Sequence, residues 1–292
     1  MEALKKHLSP QQLVALMQSR GLVVSDKESA EKALQSINYY RLSGYLHNFK
    51  VSGSDRYETG LTWEKLLRIY NFDRRLTRIL LFALEDIEET LKTRLSLTLT
   101  NSHPEDPEIY LRPIIYRKYE PYIKFVSFFE REIDNNKKQP FVKHHLENYG
   151  GHFPMWVAVE LFTMGNIHAL FENLIGKYQK ALAALYETGP QQLSSWIENL
   201  TYTRNHLAHY MRVYNLNFGR SPMKCKKHSK YMLSTNMIFD QIYVIACMYS
   251  DADEWNNFVL PEIEQLLDEY TPDITLAGLG FQSDWQRILH RD

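Results

Sequence analysis

Residues 62–100 read TWEKLLRIYNFDRRLTRILLFALEDIEETLKTRLSLTLT and contain neither proline nor glycine. Leu66, Leu67, Tyr70, Leu76, Leu80, Leu84, Ile87, Leu91 and Leu95 return there mostly at steps of three and four residues, the period of one helical face. The stretch predicts one long helix. Its apolar stripe has to be covered, and the rest of the chain offers further helical patterns to cover it, so the fold class read from the sequence is all-α. The acids Glu85, Asp86, Glu88 and Glu89 lie inside the same segment and read as a solvated face.

Upstream, Ser9-Pro10 opens a short helix that carries Leu13, Leu16 and Met17, and Gly21 offers its C-cap. A second helix starts near Ser25-Asp26, places Ala30, Ala33, Leu34 and Ile37 on one side and runs on into Asn38 to Tyr45. Between Val51 and Gly60 the chain turns polar, which marks a linker. Downstream, Pro104, Pro107 and Pro113 end the long pattern. Helices are expected over residues 121–137, with Ile123, Val126, Phe129 and Ile133 inward, and then over 155–178, 180–187, 191–210, 235–249 and 255–270. Alternation of apolar and polar residues is scarce, so any strand is short and sits in a loop such as 213–218. No solenoid repeat or low-complexity tract is visible. The expected organisation is an N-terminal helical module over 1–58, a main helical domain over 59–270 and a C-terminal extension over 271–292.

The 292 residues are 44% hydrophobic and 24% charged, an ordinary globular composition. A formal net charge of −1 gives no global attraction to a polyanion, so any nucleic acid has to meet a local patch. Cys225 and Cys247 are the only two cysteines, too few for a disulfide framework or a four-thiolate zinc site, and they suit a reducing compartment. Met1 to Pro10 lacks a signal-peptide core, and no window approaches 18 uninterrupted apolar residues, so a cytoplasmic location is expected. The glycines form no phosphate-cradling loop and no nucleophile elbow appears, so no cofactor is expected.

The stretch with chemical content is Arg204-Asn205-His206-Leu207-Ala208-His209. Cleaving RNA without a metal takes a proton acceptor for the ribose 2′-OH, a donor for the leaving oxygen and a cation for the phosphorane-like transition state. Histidine titrates near neutrality, and arginine stays charged and matches phosphate oxygens with a planar fork. Residues five apart on a helix are rotated by roughly 140°, so Arg204 and His209 do not share a face, whereas Asn205 and His209 do. Two copies of the helix around a two-fold axis bring two Arg and two His into one cleft. His206 and His209, three apart, leave a metal pair open, but no nearby Asp, Glu or Cys completes such a site. Ordinary surface and half-buried helix residues remain the plain alternative.

Residues Trp196 to Tyr210 resemble the motif helix of HEPN-domain proteins, an Arg, a polar residue and a His four to six positions later. Three further stretches resemble the Abi-like abortive-infection family of the AbiD and AbiF type: Ile37 to Tyr45, Tyr70 to Leu76, and Met211 to Asn215. The likeness runs from about residue 10 to 260. It implies a HEPN-type helical bundle behind a small N-terminal module, a role in phage defence, RNA as ligand or substrate, and association with a small non-coding RNA. It carries Arg204 and His209 over as catalytic and Asn205 as supporting, in a site shared by two copies.

Two patches are candidates for RNA contact. Arg220, Lys224, Lys226, Lys227 and Lys230 occur without an acid among them, and Tyr39, Tyr40, Arg41, Tyr45, His47 and Lys50 interleave rings and cations. Arg41 and Tyr45 are the preferred members of the second. Arg74, Arg75 and Arg78 are a third, weaker set that can instead pair with acids. Three functions stay open: a metal-independent ribonuclease, a non-catalytic binder of a structured RNA, and a helical interaction protein whose motif packs a dimer interface.

Overall fold

Thr62 opens the central helix by accepting the Lys65 N–H at 3.1 Å, which satisfies one of the orphan donors of the first turn. The structure, a computed structural model, describes residues 6–224 and 235–291. The Pro- and Gly-free stretch forms a single helix, α4, Trp63–Thr100, of 38 residues, about 57 Å long at 1.5 Å per residue. Leu66, Ile69, Phe72, Leu76, Leu80, Ile87, Leu91 and Leu95 on its inner face are fully buried. The remaining helices are laid along this axis.

On the N-terminal side, α1 (Pro10–Ser19) has a Ser9/Gln12 capping box, and α2 (Lys27–Leu34) is capped by Asp26. The helix expected to run from Asp26 into Tyr45 is broken. Asn38 restarts it, its side-chain oxygen accepting the Tyr40 N–H at 2.8 Å, so α3 (Tyr39–Leu46) leaves at a new angle and packs on α4. The polar loop 51–60 is tied back where Val23 donates to Leu61 and accepts from Trp63.

After α4 come two short 3₁₀ turns, then α5 (Tyr119–Asn136) and α6 (Pro140–Asn148), the latter not anticipated from the sequence. Helix α5 turns Phe125 and Phe129 inward and leaves Ile123 outside. The rings win because they join an aromatic cluster, Phe129 lying 5.2 Å from Tyr110 and Phe125 5.3 Å from Phe162. The helix expected over 155–178 is split into α7 (Met155–Ala158), a 3₁₀ turn and α8 (Met164–Asn173). Thr163 and Asn166 form a capping box that starts α8 anew. Helices α9 (Gly176–Ala184) and α10 (Pro190–Ala208) follow, and α10 packs on α4, α8, α9 and the buried α11 (Ile238–Met248).

The chain closes with α12 (Ala252–Glu254), a π-helical turn over Trp255–Val259, α13 (Leu260–Tyr270) and α14 (Trp285–Leu289). Residues 271–291 place Leu279, Phe281, Trp285 and Leu289 in the core. Among the described residues there are isolated bridges but no strand, including over 213–218, and the fold is all-α. No helix among them is long and apolar enough to cross a membrane. The acids of α4 divide between two roles. Glu85 and Glu89 are exposed, whereas half-buried Asp86 accepts the Ser250 N–H and hydroxyl, at 2.9 and 2.6 Å, and Glu88 faces cations.

Candidate functional site at the end of α10

Helix α10 ends at Ala208, and His209 is its C-cap. Tyr210 follows in the left-handed region with φ 56°. Its N–H donates to the Leu207 carbonyl at 2.9 Å, and that of Met211 to the His206 carbonyl at 3.1 Å. This pair of bonds is a Schellman closure, which glycine usually makes because any Cβ strains the left-handed position. Here a tyrosine holds it, and Arg41 braces it. The Arg41 guanidinium donates to the Tyr210 carbonyl and lies over the Tyr210 ring, 5.9 Å from its centre.

Beneath this turn a buried carboxylate gathers three parts of the chain. Asp73 of α4 accepts the Tyr45 hydroxyl at 2.8 Å and the Val213 and Tyr214 N–H groups at 2.7 and 2.9 Å. Burial pushes its pKa up to about 6 against the opposing pull of these donors and of Arg212 nearby. Arg212 in turn donates to the Gly44 carbonyl. Two arginines and a carboxylate thus pin the chain after His209 onto α3 and α4. Asp73 had a sequence signal, a charge at helical spacing within the apolar stripe Ile69, Leu76 and Leu80, but no role was read from it.

The two motif histidines have different surroundings. His206 is half-buried, packs 5.1 Å from Phe218 and bonds through Nε2 to the Arg212 carbonyl at 2.8 Å. A carbonyl only accepts, so that nitrogen carries the proton and is not open to a metal. Desolvation holds the His206 pKa below its ordinary value, with the carbonyl bond opposing. His209 is exposed. Among the described residues no three His, Cys, Asp or Glu side chains are grouped to hold a metal.

Exposed Glu198, Tyr202, Asn205 and His209 recur at four, three and four residues and so form one outer face of α10. Arg204 lies off this face and toward α4. Its Nε is 4.0 Å from the Glu88 carboxylate, which also faces Lys92 at 3.4 Å, and its Nη1 donates to Asn205 Oδ1 at 3.3 Å. Arg220 rests over the Tyr202 ring at 5.0 Å and pairs with Glu198 at 3.2 Å, joining the outer face at its far end. Lys224 is half-buried, while Lys226, Lys227 and Lys230 lie outside the described residues.

One candidate has to be corrected. Tyr45 is only 3% exposed, with its hydroxyl on Asp73, so it cannot stack on a base in this structure; it braces the turn instead. Arg41 stays exposed and is brought to the motif, beside Tyr40, Tyr210 and Met211, which are 84%, 68% and 54% exposed. Of the third set, Arg75 pairs with Glu269 at 2.6 Å and Arg74 lies over Tyr70, while Arg78 is exposed.

Residues 32–215, more than half of the chain, match the Abi-like protein family. The chain belongs to that family. The matched span encloses Tyr45, Asp73, Val213 and Tyr214, so the buried network that braces the turn lies wholly within the Abi-like region. No curated protein and no solved structure matches the chain. Membership supports a role in abortive infection, the sacrifice response to phage.

Proposed function

We propose that this Abi-like protein acts on RNA in phage defence, as a metal-independent endoribonuclease of HEPN type. Arg204 stabilises the negative charge on the non-bridging phosphate oxygens, His209 exchanges the proton with the ribose 2′-OH or the leaving oxygen, and Asn205 orients phosphate or imidazole. The observation that carries this reading is the strained turn at Tyr210. Non-glycine residues in the left-handed region persist where surrounding structure over-determines them, often at functional sites. Here Arg41, Arg212 and Asp73 all hold the chain that follows His209.

Arg204 and His209 leave α10 in different directions, so one copy offers one arginine and one histidine to separate surfaces. Two copies related by a two-fold axis supply both groups to a common cleft, and a homodimer is therefore the active form in this reading. The exposed rings of Tyr40 and Tyr210 with Arg41 and Arg220 supply the stacking and charge that single-stranded RNA uses, and a small structured RNA is the proposed ligand.

The test is cleavage of RNA by the purified protein in excess chelator. Arg204→Ala and His209→Ala should each abolish it with the melting temperature unchanged. If RNA is bound with a steep salt dependence but no product forms from the parent protein, the motif serves binding alone, the second reading. Persistent cleavage by both variants overturns the assignment.

A further inference from the structure

A cavity of about 910 Å³ opens on a different flank of α4, walled by Arg94 of that helix, the turn after α9, α11, α13, α14 and the two residues that follow it. None of the residues that line it belongs to the α10 site, and its size is that of a small-molecule pocket. From the geometry we propose that it binds a phosphate monoester whose body carries hydroxyl groups.

Three arginines line it, Arg94 from the middle of the chain and Arg287 and Arg291 from its end, and Arg287 is paired with Asp284. Arg94 donates to the Leu185 carbonyl at 3.1 Å and lies 4.5 Å over the Tyr186 ring, and Arg291 donates to the Tyr249 carbonyl at 2.6 Å. Each guanidinium has five N–H donors in a planar fork, so the groups are oriented by these bonds and keep donors for phosphate oxygens. Half-buried Glu264 lines the same cavity. A carboxylate only accepts, which suits hydroxyl donors on the ligand and disfavours a bare anion.

The walls are held in uncommon conformations. The π-helical turn at Trp255–Val259 sends the Trp255 indole to the Leu289 carbonyl at 2.8 Å. Asn256 bonds both the carbonyl and the N–H of Arg291, at 2.8 and 3.0 Å, which fixes the C-terminal wall. On the other rim Glu187 sits at φ 51°. π-turns and left-handed non-glycine residues are both costly locally, and both gather at ligand sites. Here Glu187 lines the cavity itself, and the π-turn lies directly behind its wall, bonded to Leu289 and followed by Leu260.

Isothermal titration calorimetry on the full chain tests this with glucose 6-phosphate, AMP, inorganic phosphate and glucose as separate probes. A monoester should bind with Kd below about 1 mM, at least tenfold more tightly than phosphate or glucose. Arg291→Ala and Glu264→Gln should each weaken it about tenfold, and Cys247→Phe, which fills the cavity from α11, should remove it. Arg204→Ala should leave it intact, so the result stands or falls apart from the RNA reading. Glu264→Gln preserves shape and charge-independent packing, which guards against a variant that merely misfolds. The inference is overturned if neither monoester binds, or if monoester binding is the same in all three cavity variants as in the parent.

Discussion

Arg41 and Tyr210, 169 residues apart in the chain, are joined by a hydrogen bond from the guanidinium to the Tyr210 carbonyl, with the guanidinium stacked over the tyrosine ring. The contact stabilises a left-handed residue directly after His209. Removing it with Arg41→Ala should lower stability by about 1–2 kcal/mol, at or below the low end of the range for bonds to charged groups because Arg41 is exposed, and should reduce RNA cleavage. Tyr210→Gly in the Arg41→Ala background should recover part of the stability, since glycine needs no brace in that conformation. Chemical denaturation of the four proteins of this cycle measures the coupling, and a coupling near zero would show that the brace is incidental.

The Asp73 network predicts an unusual pH dependence. Its folded pKa, about 6, lies above the ordinary carboxylate value. The folded state therefore holds the proton more tightly, and the stability this adds is present at low pH and lost as pH rises through about 6. Between pH 7 and 5 the parent should gain about 1 kcal/mol relative to Asp73→Asn, by linkage from that shift. Urea melts of both proteins at the two pH values provide the comparison. A difference of opposite sign would mean that the three donors to the carboxylate outweigh its burial.

Asp73→Ala is a harsher change. It leaves the Val213 and Tyr214 N–H groups and the Tyr45 hydroxyl buried without an acceptor, and should cost about 3–5 kcal/mol. Hydrogen exchange should show the turn over 209–215 opening first, ahead of the α4 core.

Glu88 faces Arg204 at 4.0 Å and competes with any phosphate for it. Glu88→Gln should raise RNA affinity by several-fold at low salt while leaving stability nearly unchanged, because the pair is partly exposed and weak. Filter binding at several salt concentrations reads this, and no gain in affinity argues that Arg204 does not meet phosphate.

Arg220 over Tyr202 extends the outer face of α10. If it contacts phosphate, Arg220→Ala should weaken binding across RNA sequences alike and reduce the slope of log affinity against log salt by about one. An unchanged slope assigns Arg220 to its pairing with Glu198.

Much of the fold was legible because α4 is written in a period that nothing interrupts. The bounds of α1 and α10 were read within two residues, since Ser9-Pro10 and Gly189-Pro190 are local start signals and need no tertiary partner. The breaks at Asn38 and Thr163 were missed. Each is a small polar side chain capping its own backbone, and its effect appears only when the following helix has somewhere else to pack. On α5 the expected Phe129 is buried and Val126 and Ile133 are half-buried, but Phe125 takes the place expected for Ile123, because periodicity gives a stripe while a distant aromatic cluster chooses which rings fill it.

The sequence by itself determined the helical class, the family likeness, and the Arg204, Asn205 and His209 motif on one helix. These are properties of neighbours within a few residues, where backbone geometry dictates the relation. Only the tertiary structure decided what each histidine and tyrosine does. His206 and His209 share a residue type and a helix, yet one packs on Phe218 beneath a carbonyl and the other is exposed. Tyr45 is buried and offers no ring for stacking because Asp73, 28 residues away, accepts its hydroxyl at 2.8 Å. Burial and long-range hydrogen bonds set those outcomes, and both depend on groups that the chain brings together only when it folds.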